Sequence, residues 1–184
     1  AMRGGNIMYN AIPNHRSVQW HTTQPFATSW WRSLGLLANT FAIESFVDEM
    51  AIKAGKNPVE FRLAMFEKDE HATRIKKVIS EAARLANYTP EANGNRAMGF
   101  AASTDTGSPC AQVVEVSVVD NTIKVEKVTC VLDCGIAVNP DQVKAQCEGS
   151  ILMGISAGLH EKMTLIDGRL YPINYGAYKM ALMR

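Results

Sequence analysis

The residues able to do chemistry fall into two runs and a scatter of carboxylates and thiols. The run Trp30–Trp31–Arg32–Ser33–Leu34–Gly35 places two bulky aromatics before an arginine and two small residues. Serine and glycine permit a tight turn whose backbone N–H groups can face an oxyanion or an oxygen ligand of a metal. Arginine adds a permanent charge and a planar donor fork suited to phosphate or carboxylate. On chemistry only, the plainer reading is favoured: an aromatic surface loop with a structural arginine. The second run, Leu132–Asp133–Cys134–Gly135–Ile136–Ala137–Val138–Asn139–Pro140, predicts a strand, a glycine turn and a helix capped by Asn139. Such a helix N-terminus offers N–H donors to an anion. Gln146, Cys147 and Gly149 follow inside a helix otherwise rich in Val, Ile and Leu. A buried glutamine needs partners and glycine weakens a helix, so a ligand could approach here. Equally, Gly149 and Gly154 could allow tight packing on a sheet.

Glu44, Glu148 and Glu161 are the carboxylates near these runs. A general base must reach its nucleophile before its pKa matters, and each is expected to be structural instead. Glu44 falls within a predicted helix, Glu148 would orient its own loop, and Glu161 would end a helix. Cys110, Cys130, Cys134 and Cys147 form no C-x-x-C pair, and no histidines stand at zinc-finger spacing. Buried free thiols are the expectation, with no metal site and no iron–sulfur cluster in this chain.

The elements that must position these residues change character midway. The first thirty residues read as irregular or extended, with Pro13, Pro25 and scattered aromatics including Trp20. A helix is predicted from Asn39, capped there or at Thr40 and stopped by Gly55, with Phe41, Phe46, Val47, Met50 and Ala51 on its inner face. Asn57–Pro58–Val59–Glu60 begins a second helix, with Glu60 placed to close a capping box. A third spans about Asp69 to Asn87 on a stripe of Ile75, Val78, Ile79, Ala82, Leu85 and Ala86. A polar breaker from Thr89 to Asn95 separates helices from strands. Strands are predicted at 97–103, at Ala111–Val119 with Val114, Val116 and Val118 buried, and at Ile123–Leu132 after an Asp120–Asn121 turn. A helix over Pro140–Leu159 follows, then a hairpin of Met163–Ile166 and Leu170–Ile173 about Asp167–Gly168. The fold class is α+β: a helical N-terminal half, then β-hairpins with a helix packed on the sheet. Residues 1–92 and 93–184 form two parts, or together one compact unit.

Composition excludes some partners. Nineteen basic and eighteen acidic side chains leave a formal charge of +1, which gives no electrostatic argument for nucleic acid or an anionic membrane. The stretch Ile151–Leu159 is too short and too glycine-rich to cross a bilayer, and no export signal opens the chain.

The order of segments resembles the molybdopterin-binding large subunits of the xanthine dehydrogenase/aldehyde oxidase family, in the branch typified by the isoquinoline 1-oxidoreductase β subunit. The matching segments begin with Ile12–Pro13–Asn14, Trp31–Arg32–Ser33–Leu34–Gly35 and Asn39 through Ala51. They continue through Asn57–Arg62 and Ala111–Val116 and end at Asn174–Met180, with the strongest likeness at Asp133–Gly135, Asn139–Pro140, Gln146, Glu148–Gly149, Gly154 and Glu161. The resemblance implies hydroxylation of aldehydes or N-heterocycles with water as oxygen source, the cofactor carrying the chemistry and the protein supplying position and proton transfer. It implies that Trp31, Arg32, Ser33 and Gln146 face molybdopterin, in a dinucleotide form. It implies 2Fe-2S clusters on a small partner subunit, contact with remaining large-subunit segments, and a small-molecule substrate. Xanthine dehydrogenases proper have F-R-G-F-G at the arginine loop. Leu34 replaces the second phenylalanine, which disfavours a purine-like substrate because stacking on one face is lost. The family's glutamate base lies in a G-x-G-E segment beyond the position matching Arg184, so no catalytic residue is expected in this chain and inactivity in isolation is. The competing reading is a non-catalytic assembly module with Trp20, Trp30 and Trp31 as interface anchors; a third, an unrelated small-anion domain at the Asn139–Pro140 helix start, ranks far lower. Bacterial cytoplasm and periplasm both remain open as the compartment.

Overall fold

The structure, a computed structural model, describes residues 7–182. The chain divides into two compact units. Of the described residues, one comprises 7–19 and 31–136, the other 20–30 and 137–182.

The first unit holds three helices, α1 (Gly35–Lys53), α2 (Pro58–Ala64) and α3 (Glu70–Ala86), and three strands, β1 (Arg96–Asp105), β2 (Ser108–Val119) and β3 (Thr122–Leu132). The strands form an antiparallel sheet in the order β1-β2-β3. Asp120 and Asn121 both take positive φ, the two-residue hairpin turn that matches strand twist. The helix covering the sheet is α3, which packs across β2 and β3. Asp69 caps it through the Ala72 N–H at 2.6 Å, and Asn87 closes it in the left-handed conformation. Asn57 caps α2 by accepting from the Val59 N–H at 2.8 Å, with Pro58 in the first turn as expected.

The seam between α3 and the sheet is lined by small residues. Ala72, Ala82 and Ala86 on the helix and Ala102 and Ala111 on the strands are all buried, interleaved with Ile75, Val78, Ile79, Phe100 and Val113. Alanine lets helix and sheet approach closely, and the larger side chains fill the gaps between.

Several local expectations need correction. Helix α1 begins at Gly35 and not Asn39, because the turn before it delivers the chain directly into helical geometry; its N-cap is Leu34, without a side-chain cap. Its buried stripe is Glu44, Val47 and Ala51, while Phe41 and Phe46 face outward. The helical period holds, but the inward face passes through a carboxylate. Leu85 is likewise half exposed on α3. On β2 the faces are inverted: Pro109, Ala111, Val113 and Ser117 are buried and Val118 is exposed. The face that meets α3 is the one with small residues, and the valine face is left largely open.

The second unit contains α4 (Pro140–Leu159) and a small hairpin of β4 (Thr164–Ile166) and β5 (Arg169–Tyr171). Asn139 caps α4 by accepting from the Gln142 N–H at 3.1 Å. Ser156 is its one buried residue among those described. Asp167 and Gly168 form the tight turn in positive φ. Across the described residues, no helix is long and apolar enough to cross a membrane. The architecture is α+β, with the helical half preceding the sheet.

Candidate functional site

The site begins with a strained turn. Ser33 and Leu34 lie at φ 71° and 53°, a region that costs non-glycine residues about 1–3 kcal/mol each and is found where surrounding structure imposes it. The Leu34 N–H donates to the Trp31 carbonyl at 2.9 Å and the Leu36 N–H to the Ser33 carbonyl at 3.0 Å. The nineteen-residue α1 then starts with no side-chain cap and no acidic residue in its first turn. Apart from the Leu36 N–H, its opening N–H groups and the positive end of its dipole face the segment before Gly35. Trp31, Arg32 and Ser33 are all exposed at this place.

The start of α4 differs. Asn139 already occupies the Gln142 N–H, and Asp141 puts a negative charge in the first turn. Of the two helix starts, that of α1 is the one with neither a side-chain cap nor a first-turn acid. Gln146 is exposed rather than buried, and its backbone carbonyl accepts from the Ser150 hydroxyl at 2.7 Å. The tight-packing reading of Gly154 fails as well, since a Cβ there would meet nothing within 4 Å. The α4 face around Gln146 is therefore an open surface.

None of the three carboxylates is placed as a free base. Glu44 is 4% exposed and borders a cavity of about 390 Å³ within the first unit, lined also by Leu36, Thr40 and His71. Both its oxygens are taken. Oε1 accepts from the Tyr9 hydroxyl at 2.5 Å, and Oε2 accepts from Arg62 Nε at 2.9 Å and the Ala102 N–H at 2.7 Å. Arg62, fully buried, further donates to Asp48 at 2.7 Å, to the carbonyls of Pro58 and Glu44 at 3.0 and 3.1 Å, and to that of Phe100 at 3.4 Å. Burial alone would lower the guanidinium's proton affinity, but Glu44, Tyr9 and Asp48 outweigh it and hold the charge. Burial, and then Glu44, push the Tyr9 phenol far above its ordinary range. Glu148 stands mid-helix, with Lys144 3.8 Å away one turn earlier, so it orients no loop. Glu161 lies just past the end of α4 and accepts from the Tyr178 hydroxyl at 2.7 Å.

The Arg62 centre escapes a reading of the sequence, although a signal for it exists. Glu44 shares the α1 stripe with Val47 and Ala51, and Arg62 shares the α2 face with Pro58 and Val59. Opposite charges on the apolar faces of two adjacent helices mark a buried pair.

A second ion pair fixes the Asp133 turn. Arg74 donates in bidentate fashion to the Asp133 carboxylate, both contacts 2.8 Å, and reaches the Gly107 carbonyl at 2.8 Å. The Gly135 N–H adds a bond to Oδ1 at 2.9 Å, with Gly135 at φ 72°. These donors, Arg74 first, hold the Asp133 carboxyl well below the usual carboxylate range. A lowered folded-state pKa adds stability above the unfolded value of about 3.9 and loses it as pH falls below that. Asp133→Asn should therefore melt lower than the parent at neutral pH, with the gap narrowing from about pH 4 to pH 2. Thermal melts across that range check it; a constant gap would remove the ion pair as the cause.

None of the four cysteines is in a disulfide, and all are half-buried, a little more open than expected. Among the described residues no cluster of three metal-ligating side chains occurs. The chain thus presents an exposed turn before an uncapped helix, with Glu44 and Glu161 engaged in hydrogen bonds of their own. Residues 35–184 match the model of the family described as Molybdopterin cofactor-binding domain, and the chain belongs to that family. It is 31% identical over 98% of its length to the beta chain of isoquinoline 1-oxidoreductase from Brevundimonas diminuta, covering 23% of that protein. It is 31% identical over 82% of its length to one subunit of the nicotinate dehydrogenase of Pseudomonas putida, covering 14% of it. A membrane-bound aldehyde dehydrogenase of Gluconacetobacter polyoxogenes, named for pyrroloquinoline quinone, is 28% identical over 83% of this chain, which covers 22% of it. The chain therefore spans about a quarter or less of the length of these relatives. Two of the three are named as subunits. The family resemblance carried by the order of the sequence segments holds. The uncapped α1 start, with Arg32 three residues before it in sequence, has a chemistry compatible with an oxygen-rich anionic group.

Proposed function

We propose that this chain forms part of the molybdenum-cofactor-binding subunit of an oxidoreductase of the molybdenum hydroxylase type, with Trp31, Arg32, Ser33 and Gln146 facing the cofactor. The observation that supports it most is the α1 start: a strained Ser33–Leu34 turn beside Arg32, leading into a long helix with neither cap nor acid. When bound, molybdopterin supplies the chemistry that hydroxylates an aldehyde or N-heterocycle with oxygen from water. The protein's residues do the positioning. Arg32 offers a permanent positive charge and paired donors to an anionic oxygen. The first turn of α1 adds N–H donors oriented by the helix. Trp31 screens the position from water, and the Gln146 amide offers a donor and an acceptor from α4. Residues 1–92 and 93–184 act as two parts of one molybdenum-binding region. The general base, the sites for the dinucleotide tail and the iron–sulfur clusters lie in other segments or in a partner subunit.

On this reading the 184-residue chain alone retains no molybdopterin and oxidises neither aldehydes nor N-heterocycles. Metal analysis after gel filtration tests it. Substoichiometric molybdenum is expected, and one molybdenum per chain would contradict it.

A second reading, a non-catalytic assembly module, is favoured by the exposed apolar side chains. Trp20 is 85% exposed, Trp30 91%, Val138 92% and Tyr175 96%. Exposed apolar surface marks interaction sites. The remaining large-subunit segments or an iron–sulfur partner would cover them, and the isolated chain would self-associate on a sizing column.

A further inference from the structure

The open face of the sheet carries a pair of thiols. On β2, Cys110 and Gln112 point away from the face that α3 covers, because Pro109, Ala111 and Val113 on the alternate positions are the buried ones. In the register of β2 and β3, Cys130 stands directly opposite Gln112, and Cys110 opposite Leu132. The two cysteines are therefore diagonal neighbours on one face. Their Sγ atoms are 3.7 Å apart, and the Gln112 side-chain amide lies 3.9 Å from the Cys110 sulfur as a donor. Neither cysteine is in a disulfide, and both residues are half-buried.

We propose that Cys110 and Cys130 form a redox-active dithiol site that low-molecular-weight disulfides convert to an intrachain disulfide. In the first step a thiolate of the pair attacks one sulfur of the disulfide RSSR, breaking its S–S bond and releasing one RSH. The second thiolate then attacks the protein sulfur of the mixed disulfide and releases the second RSH. Two S–H bonds are lost and one S–S bond is gained; the protein gives up two electrons and RSSR takes them. The sulfurs must approach by a further ~1.7 Å to reach disulfide distance, which for a diagonal pair takes backbone movement of the strands as well as side-chain rotation. The product ties the edge strand β3 to β2 just before the Asp133 turn.

The reduced chain, incubated with oxidised glutathione and quenched with acid, is read by intact mass and peptide mapping. The expected product is about 2 Da lighter, with the Cys110 and Cys130 peptides joined and no glutathione retained on either. Cys110→Ser and Cys130→Ser should each abolish the link and keep glutathione on the remaining partner. Cys134→Ser/Cys147→Ser should form the link unchanged. The same reaction in urea should lose the preference for this pair, which ties the pairing to the fold. Links to Cys134 or Cys147 under native conditions, or Cys110 and Cys130 left as thiols or as stable glutathione adducts, would overturn the proposal.

Discussion

Replacing Arg62 with alanine is expected to destabilise the first unit by about 3–5 kcal/mol, the cost of removing one partner from a buried ion pair. The size follows from what is left behind. Glu44 would remain a buried carboxylate, retaining the Tyr9 hydroxyl and the Ala102 N–H but no compensating charge. The carbonyls of Pro58, Glu44 and Phe100 would lose a donor at the same time. The guanidinium also lies over the Phe100 ring at 5.4 Å, a contact that alanine removes. Arg62→Lys should recover only a part, since one ammonium cannot reproduce the spread of Nε and both terminal nitrogens over carboxylates and carbonyls. Urea denaturation of the three proteins would decide the matter. A loss under about 1 kcal/mol for the alanine variant would show that Arg62 is not what joins α1, α2 and β1.

The second large effect is expected at Arg32. In the assembled subunit, Arg32→Ala should weaken molybdopterin retention about tenfold to a hundredfold, the equivalent of losing one hydrogen-bonded charge of about 1.5–3 kcal/mol. Arg32→Lys should restore part of it by charge without the planar fork. On the cofactor reading the folded stability of the chain should not change. Molybdenum content per subunit, measured beside a thermal melt, separates the two. Unchanged molybdenum in the alanine variant would remove Arg32 from the cofactor site, while a lowered melting temperature would return it to the structural reading.

Much of the fold is legible in the sequence because its local signals agree with its packing. Asn57–Pro58, Asp120–Asn121, Asn139–Pro140 and Asp167–Gly168 are caps and turns whose chemistry needs only neighbouring backbone, and each forms where its residues predict it, while Asp69 and Asn87, read only as the ends of the third helix, cap it. Which face of an element is covered is not legible in the same way. Phe41, Phe46 and the Val118 side of β2 look like core by hydropathy, yet α3 lies on the alanine side of the sheet and α1 turns Glu44 inward. Burial of that kind depends on partners distant in sequence. A tight turn around Ser33 is readable from its residues, but its second positive φ falls on Leu34 and not on Gly35, and the helix start is read four residues late, because a start without a side-chain cap leaves no residue signature. The apolar residues around Gln146 suggest that it is buried, and those are themselves mostly uncovered.

The alanine-lined seam beneath α3 also sets how this domain can change over generations. At Ala72, Ala82, Ala86, Ala102 and Ala111 only a methyl group is left to trim, and added carbons overpack a buried seam. Hydropathy would rank these positions as the most dispensable in the core and Phe41 or Ile123 as the least. For the stability of this chain the order is reversed. The bulky outward residues are free to drift with whatever covers them, while the smallest side chains are the ones that selection cannot enlarge.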